Sequence, residues 1–208
     1  MVKSANFASN RQEGATHPLS AFLSVSCSRD GKPRGDRLND RLAADLRARR
    51  PGALEELLAT FGREIQAVAY LVLHSQPDAE EVVIDTMVTA WRRGDTLRDP
   101  AALRTWLLRI ATRHALSRRR RAAAPSTPLL PDDDRVVGDT APPLERVALL
   151  QALAELPPHM RAAVALHYVA DLTVDDVALA LGRSRNTVKS QLRIGLGRLR
   201  VLLDDEGR

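Results

Sequence analysis

From Leu38 to about residue 121 the chain repeats Leu, Ala and Val at spacings of three and four, the period of helices with one buried stripe. Pro51, Gly62, Pro77, Gly94 and Pro100 divide that run into several helices. Helical patterning returns over residues 144–203, punctuated by Pro157-Pro158, Asp171 and Gly182. No strand-like alternation and no internal repeat appears. The pattern therefore predicts an all-α fold of two small helical domains, residues 38–121 and 144–203.

The intervening residues 122–143 carry five prolines (Pro125, Pro128, Pro131, Pro142, Pro143) and the acidic triplet Asp132-Asp133-Asp134. Such a segment cannot sustain a helix and has little to bury, so it reads as a flexible acidic linker. Residues 1–37 lack a sustained apolar period and read as a poorly ordered leader, and residues 204–208 form a tail.

Within the second domain, Thr173 can cap a short helix with Asp176 three residues on, ending at Gly182. Ser184 can then cap a longer helix running to about Leu203. Two helices joined by so short a turn form a helix-turn-helix. On the longer one, Val188, Leu192, Leu196, Leu199 and Leu203 are expected to face inward, leaving Asn186, Lys189, Ser190 and Arg193 outward. Between Gly182 and Arg200 stand six basic residues and no acidic one. A cationic outward face on the second helix is what a major-groove reader requires.

In the first domain a helix is expected from Asp78 to Trp91, with Ala79, Val83, Met87 and Ala90 inward. Glu81, Ile84, Asp85 and Val88 fall on another face, where two apolar side chains lie among carboxylates. That face suits a partner helix, although two apolar residues at a core margin would give the same pattern. Asp99 and Pro100 open a further helix, with Leu103, Leu107, Ile110, Ala111 and His114 expected to be buried. Residues 92–121 hold ten Arg against two Asp, a second and larger basic surface. Trp106 beside it suits base stacking, but a tryptophan at helical spacing is more often a core residue.

Composition narrows the class. The 208 residues are 44% hydrophobic but only 3% aromatic, so the core is aliphatic, and the net charge of +5 favours a polyanionic partner. One cysteine, Cys27, excludes an internal disulfide or a cysteine-rich metal site. No stretch approaches the ~18 apolar residues of a membrane span, and residues 21–25 are too short for a secretory core, so a cytoplasmic protein is expected. Phosphate-loop and zinc-protease motifs are absent, and the five histidines show no ligand spacing. Neither an enzyme nor a cofactor, metal or small-molecule substrate is expected.

Taken together, DAEEVVIDTMVTAW, RTWLLRIATRHALSRRRR and LPPHMRAAVALHYVADLTVDDVALALGRSRNTVKSQLRIGLGRLR resemble the extracytoplasmic-function (ECF) sigma factors of the sigma-70 family. The resemblance implies that the first domain is sigma region 2 and the second is region 4. It implies core RNA polymerase, at its clamp and flap, and promoter DNA as partners, and it admits an anti-sigma protein. By the same resemblance, Asp78, Glu81, Ile84, Asp85 and Val88 would dock on polymerase. The loop with Arg92, Arg93, Asp95, Thr96 and Arg98 would capture a flipped base of the minus-ten element. Arg104, Arg109, Arg113 and Arg118 would hold promoter DNA, and Arg185, Asn186, Lys189, Ser190 and Arg193 would read the minus-thirty-five element. Ile84 and Met87 stand where the family commonly has Gln and Phe, and the loop carries no aromatic residue. The rival reading is a stand-alone helix-turn-helix regulator, which needs no second basic surface.

Overall fold

The structure, a computed structural model, describes residues 32–122 and 144–206. Four helices form the first half: α1 (Lys32–Arg47), α2 (Ala53–Leu73), α3 (Gln76–Arg93) and α4 (Leu103–Ala122). Single 3-10 turns, Gly94–Thr96 and Pro100–Ala102, lie between α3 and α4. The second half has α5 (Leu144–Ala154), α6 (Pro158–Val164) widening into a π turn over Ala165–Val169, α7 (Val174–Leu181) and α8 (Arg185–Glu206). The described residues contain no strand. The proposed linker lies, but for Ala122, outside the described residues, as does most of the proposed leader. Its last residues, from Lys32, begin α1.

Local chemistry sets the helix ends. Helix α3 starts two residues earlier than Asp78 because Ser75 is its cap, its Oγ accepting from Asp78 N at 3.3 Å, and Pro77 fits the first turn. Helix α2 stops where His74 turns left-handed (φ 54°) and its N–H returns to Tyr70 O at 2.7 Å. The helix-turn-helix has the expected caps. Thr173 Oγ1 accepts from Asp176 N at 3.1 Å, Gly182 takes φ 62°, and Ser184 Oγ accepts from Thr187 N at 3.1 Å.

Helices α2, α3 and α4 pack on one another around Leu57, Ile65, Val68, Val82, Leu107 and Ala111, all buried. On α4 the buried stripe runs through Leu103, Leu107, Leu108, Ala111, Thr112, Ala115 and Leu116. Ile110 and His114, expected inside it, are only half-buried. On α8 the stripe is Val188, Leu192, Gly195 and Leu199, continued by the partly buried Leu202; Leu196 is half-buried and Leu203 exposed. Each step of four overshoots a full turn by about 40°, so alternating steps of four and three hold the line where repeated fours drift away. Gly195 lets α8 come close there: a Cβ would lie 3.1 Å from Met160 Cγ and 3.3 Å from Val164 Cγ2, so those side chains would have to shift.

The two halves are not separate beads on a strap. Helix α7 packs along α4, and α5 and α6 pack against α2, making one continuous apolar core. Two arginines fasten the joint. Arg104 of α4 donates to Ala170 O after the π turn. Arg161, 1% exposed, donates to Val72 O at 2.9 Å, to Leu156 O at 2.9 Å and to Ala154 O. Neither α2 nor α5 has a basic residue in its last turn, so Arg161 is a cation shared by two helix C-termini. Burial lowers its pKa to about 10, with Arg119 adding to the effect and Glu155 opposing it, so it is still charged at neutral pH.

Candidate polymerase and promoter surfaces

The outward row of α8 is open. Asn186, Lys189 and Arg193 are exposed and Ser190 is half-buried, while Val188 on the other side of the helix is fully buried. Arg185 is exposed but tied back to α7, its Nε lying 2.6 Å from Asp175 Oδ1. The pair fixes the first turn of α8 against the helix before it. Both partners are more than half exposed, so such a pair contributes ~0–1 kcal/mol and leaves Arg185 free to exchange partners.

The loop between α3 and α4 is anchored from beneath. Leu97 is buried, and Arg47 of α1 donates to Leu97 O (Nε, 3.1 Å) and Arg98 O (Nη2, 3.2 Å). Thr96 Oγ1 donates to Arg93 O at 2.8 Å, and Asp99 Oδ1 caps Ala101 N at 3.0 Å. These bonds leave the Arg92, Arg93, Asp95, Thr96 and Arg98 side chains on the exposed rim. Gly94 is buried with no room for a side chain, as a Cβ would meet Leu46 Cγ at 2.9 Å. Arg47 and Leu97 were missed by periodicity, because the bonds that matter go to backbone carbonyls distant in sequence.

The basic helix α4 divides into two kinds of arginine. Arg109 and Arg113 are exposed. Arg104 instead meets Glu64 of α2 (Nε to Oε2, 3.1 Å) as well as Ala170 O. Arg118 reaches Asp78 Oδ1 at 3.1 Å, Asp85 Oδ2 at 3.4 Å and Glu81. Burial opposes the Arg118 charge, but hydrogen bonds and coulombic attraction from Glu81 and Asp78 outweigh it and raise its pKa. Arg104 and Arg118, grouped by sequence with the DNA-facing arginines, are thus engaged inside the protein. Trp106 is packed against the core.

The same Arg118 organises the mixed face of α3. Asp78, Glu81 and Asp85, three of the residues expected to meet polymerase, converge on its guanidinium. Beside them Ile84 is 63% and Val88 41% exposed, on a helix whose Val82, Thr86 and Ala90 are wholly buried. Ile84 and Val88, four residues apart, thus form a small apolar strip on the solvent side of the helix beside the three carboxylates.

The chain is similar in sequence and fold to known proteins. Residues 57–124 match Sigma-70 region 2 and residues 146–199 match Sigma-70, region 4. An ECF RNA polymerase sigma factor SigM of Mycobacterium tuberculosis (strain Erdman) is 34% identical over 170 residues, spanning 82% of this chain and 87% of the relative. The chain belongs to the ECF sigma factors of the sigma-70 family. The SigE factor of Mycolicibacterium smegmatis is 30% identical across 72% of this chain and 61% of its own. Among solved structures, CnrH in complex with the cytosolic domain of CnrY aligns with a TM-score of 0.62 at 26% identity, covering 80% of this chain and 97% of that one. The sigma factor RpoE, solved with the anti-sigma factor NepR from Bartonella quintana, shares the fold with a TM-score of 0.59 at 22% identity, over 74% and 98%. As an ECF sigma factor the chain is a transcription initiation factor: it binds core RNA polymerase and directs it to promoters.

Proposed function

We propose that three surfaces divide this task. The Ile84–Val88 face of α3 docks on core polymerase, with Asp78, Glu81 and Asp85 held in place by Arg118 and completing the contact with their outer oxygens. The anchored loop, with Arg92, Arg93, Asp95, Thr96 and Arg98 on its rim, meets the minus-ten element, and Arg109 and Arg113 hold the adjacent backbone. Lacking an aromatic side chain, the loop relies on its fixed backbone and on guanidinium stacking for strand capture. Helix α8 reads the minus-thirty-five element through Asn186, Lys189, Ser190 and Arg193, with Arg185 exchanging Asp175 for a phosphate. Arg104 and Arg118 serve the protein's own architecture. No described helix is long and apolar enough to cross a membrane, and the cytoplasm, where polymerase and template meet, is the expected site of action.

The observation that carries this reading is the bare polar row of α8, opposite a fully buried Val188, on a helix capped and tied for a fixed approach. Positive charge alone would bind DNA without choosing a sequence; a positioned Asn, Lys and Arg row can choose. The stand-alone regulator reading leaves the exposed Ile84–Val88 face without a use. The test is promoter selection by reconstituted polymerase carrying Lys189→Ala or Arg193→Ala. Loss confined to particular upstream base pairs supports the assignment, and unchanged promoter preference in both variants removes it.

A further inference from the structure

A cavity of about 500 Å³ lies where the two halves meet. From the first half it is lined by Arg92, Arg93, Arg113, Arg120 and His114, and the second half adds His159. No carboxylate is among its lining residues. Arg92, Arg93, Arg113 and Arg120 are solvent-exposed, and with no carboxylate among the described lining residues they give the cavity a net positive potential that attracts an anion.

Two histidines also line the cavity. His159 Nδ1 is itself buried and has no hydrogen-bond partner among the described residues. His114 Nε2 is 3.0 Å from Thr89 Oγ1. Burial lowers the pKa of both rings; Arg183 and Arg120 lower His159 further, and Arg113, Arg118 and Arg121 lower His114 against the opposing pull of Asp85. The wall is not wholly polar, for Ile110, Leu116 and Leu181 also face the space. Its volume is that of a small-molecule site, which commonly combines an apolar seat with a few convergent charged groups.

We propose that this cavity binds a nucleoside di- or triphosphate, its phosphates among Arg92, Arg93, Arg113 and Arg120 and its base against Ile110, Leu116 and Leu181. Guanidinium groups suit closely spaced phosphate oxygens, which they grip through paired donors. Because His159 and Leu181 come from the second half, the occupant bridges both halves and holds them together. Three of the arginines are also those assigned to the promoter strand, so an occupied cavity competes with it. The competition rests on the promoter assignment; the binding itself does not.

The phosphate chemistry could also come from DNA, and calorimetry on the full chain separates the sources. ATP, GTP, inorganic tripolyphosphate, adenosine and a single-stranded minus-ten oligonucleotide are the probes. One nucleoside triphosphate should bind per chain, less tightly as salt is raised. Arg120→Glu and His159→Glu, both outside the promoter and polymerase surfaces, should each weaken it about tenfold or more. Arg120 is exposed, so its variant should keep the wild-type melting temperature even if that of His159 opens the joint. Bound nucleotide should raise the melting temperature and displace the oligonucleotide.

Absence of nucleotide binding at millimolar concentration, or binding untouched by Arg120→Glu, overturns the site. Tripolyphosphate binding as tightly as ATP overturns the base seat. Nucleotide binding without any oligonucleotide binding would leave the cavity assigned and count against the promoter reading alone.

Discussion

Arg161 Nη1 donates to Val72 O across 2.9 Å, joining residues 89 positions apart and stitching the region 4 half to the C-terminus of α2. Because the same guanidinium also serves Leu156 O and Ala154 O, its loss strands several acceptors at once. A buried polar group without a partner costs ~1–3 kcal/mol. Arg161→Met, which keeps much of the side-chain volume, should therefore lower the melting temperature by several degrees and speed amide exchange at the ends of α2 and α5. An unchanged melting temperature would show that the joint does not depend on this side chain.

His74 sits at the same junction. Burial, then Arg161 and Arg119, lower its pKa to about 4 from 6.5. In the unfolded chain the ring protonates below about 6.5, while in the folded protein it stays neutral down to about 4. The unfolded state thus binds more protons in that window, and stability is lost as pH falls through it and regained as pH rises. His114 and His159 shift in the same direction. Denaturant midpoints should decline between pH 7 and pH 5. His74→Asn, which tolerates the left-handed backbone at φ 54°, should flatten part of the decline. An equally steep profile in the variant would assign the pH dependence to other groups.

Exposed and engaged arginines on α4 should respond differently to salt. Arg109→Ala and Arg113→Ala should each reduce the salt slope of promoter binding by about one, as expected when a phosphate contact is removed. Arg118→Ala should leave that slope alone and instead cost ~1 kcal/mol of stability, since three partly exposed carboxylates lose their shared cation. A slope change for Arg118→Ala matching that of Arg113→Ala would place it on the DNA after all.

Much of this architecture could be read from the chain. Spacing and caps located the helix-turn-helix at Thr173, Gly182 and Ser184, and the charge excess singled out α4 and α8. Periodicity fails where a stripe is carried by glycine: Gly195 has no apolar side chain to signal its burial, so Leu196 and Leu203 looked like the continuation. It also cannot separate Arg118 from Arg113, because the carboxylates that engage Arg118 stand on α3, far away in sequence. The packing of the two halves left no trace in the pattern. Arg161 resembles any surface cation, and its partners are backbone carbonyls that every residue possesses.

Ile84→Asp places a charge on an exposed position, so its fold should survive while docking fails. The protein should elute apart from core polymerase in size-exclusion chromatography, with a wild-type melting curve. Continued co-elution would shift the docking surface elsewhere.

Run-off transcription from a promoter library, with purified chain and core RNA polymerase together and each alone, bears most directly on the central claim. The account predicts discrete transcripts from a defined two-element promoter only when both are present. A footprint on that DNA by the chain alone, with no transcript on adding polymerase, would contradict it and restore the stand-alone regulator.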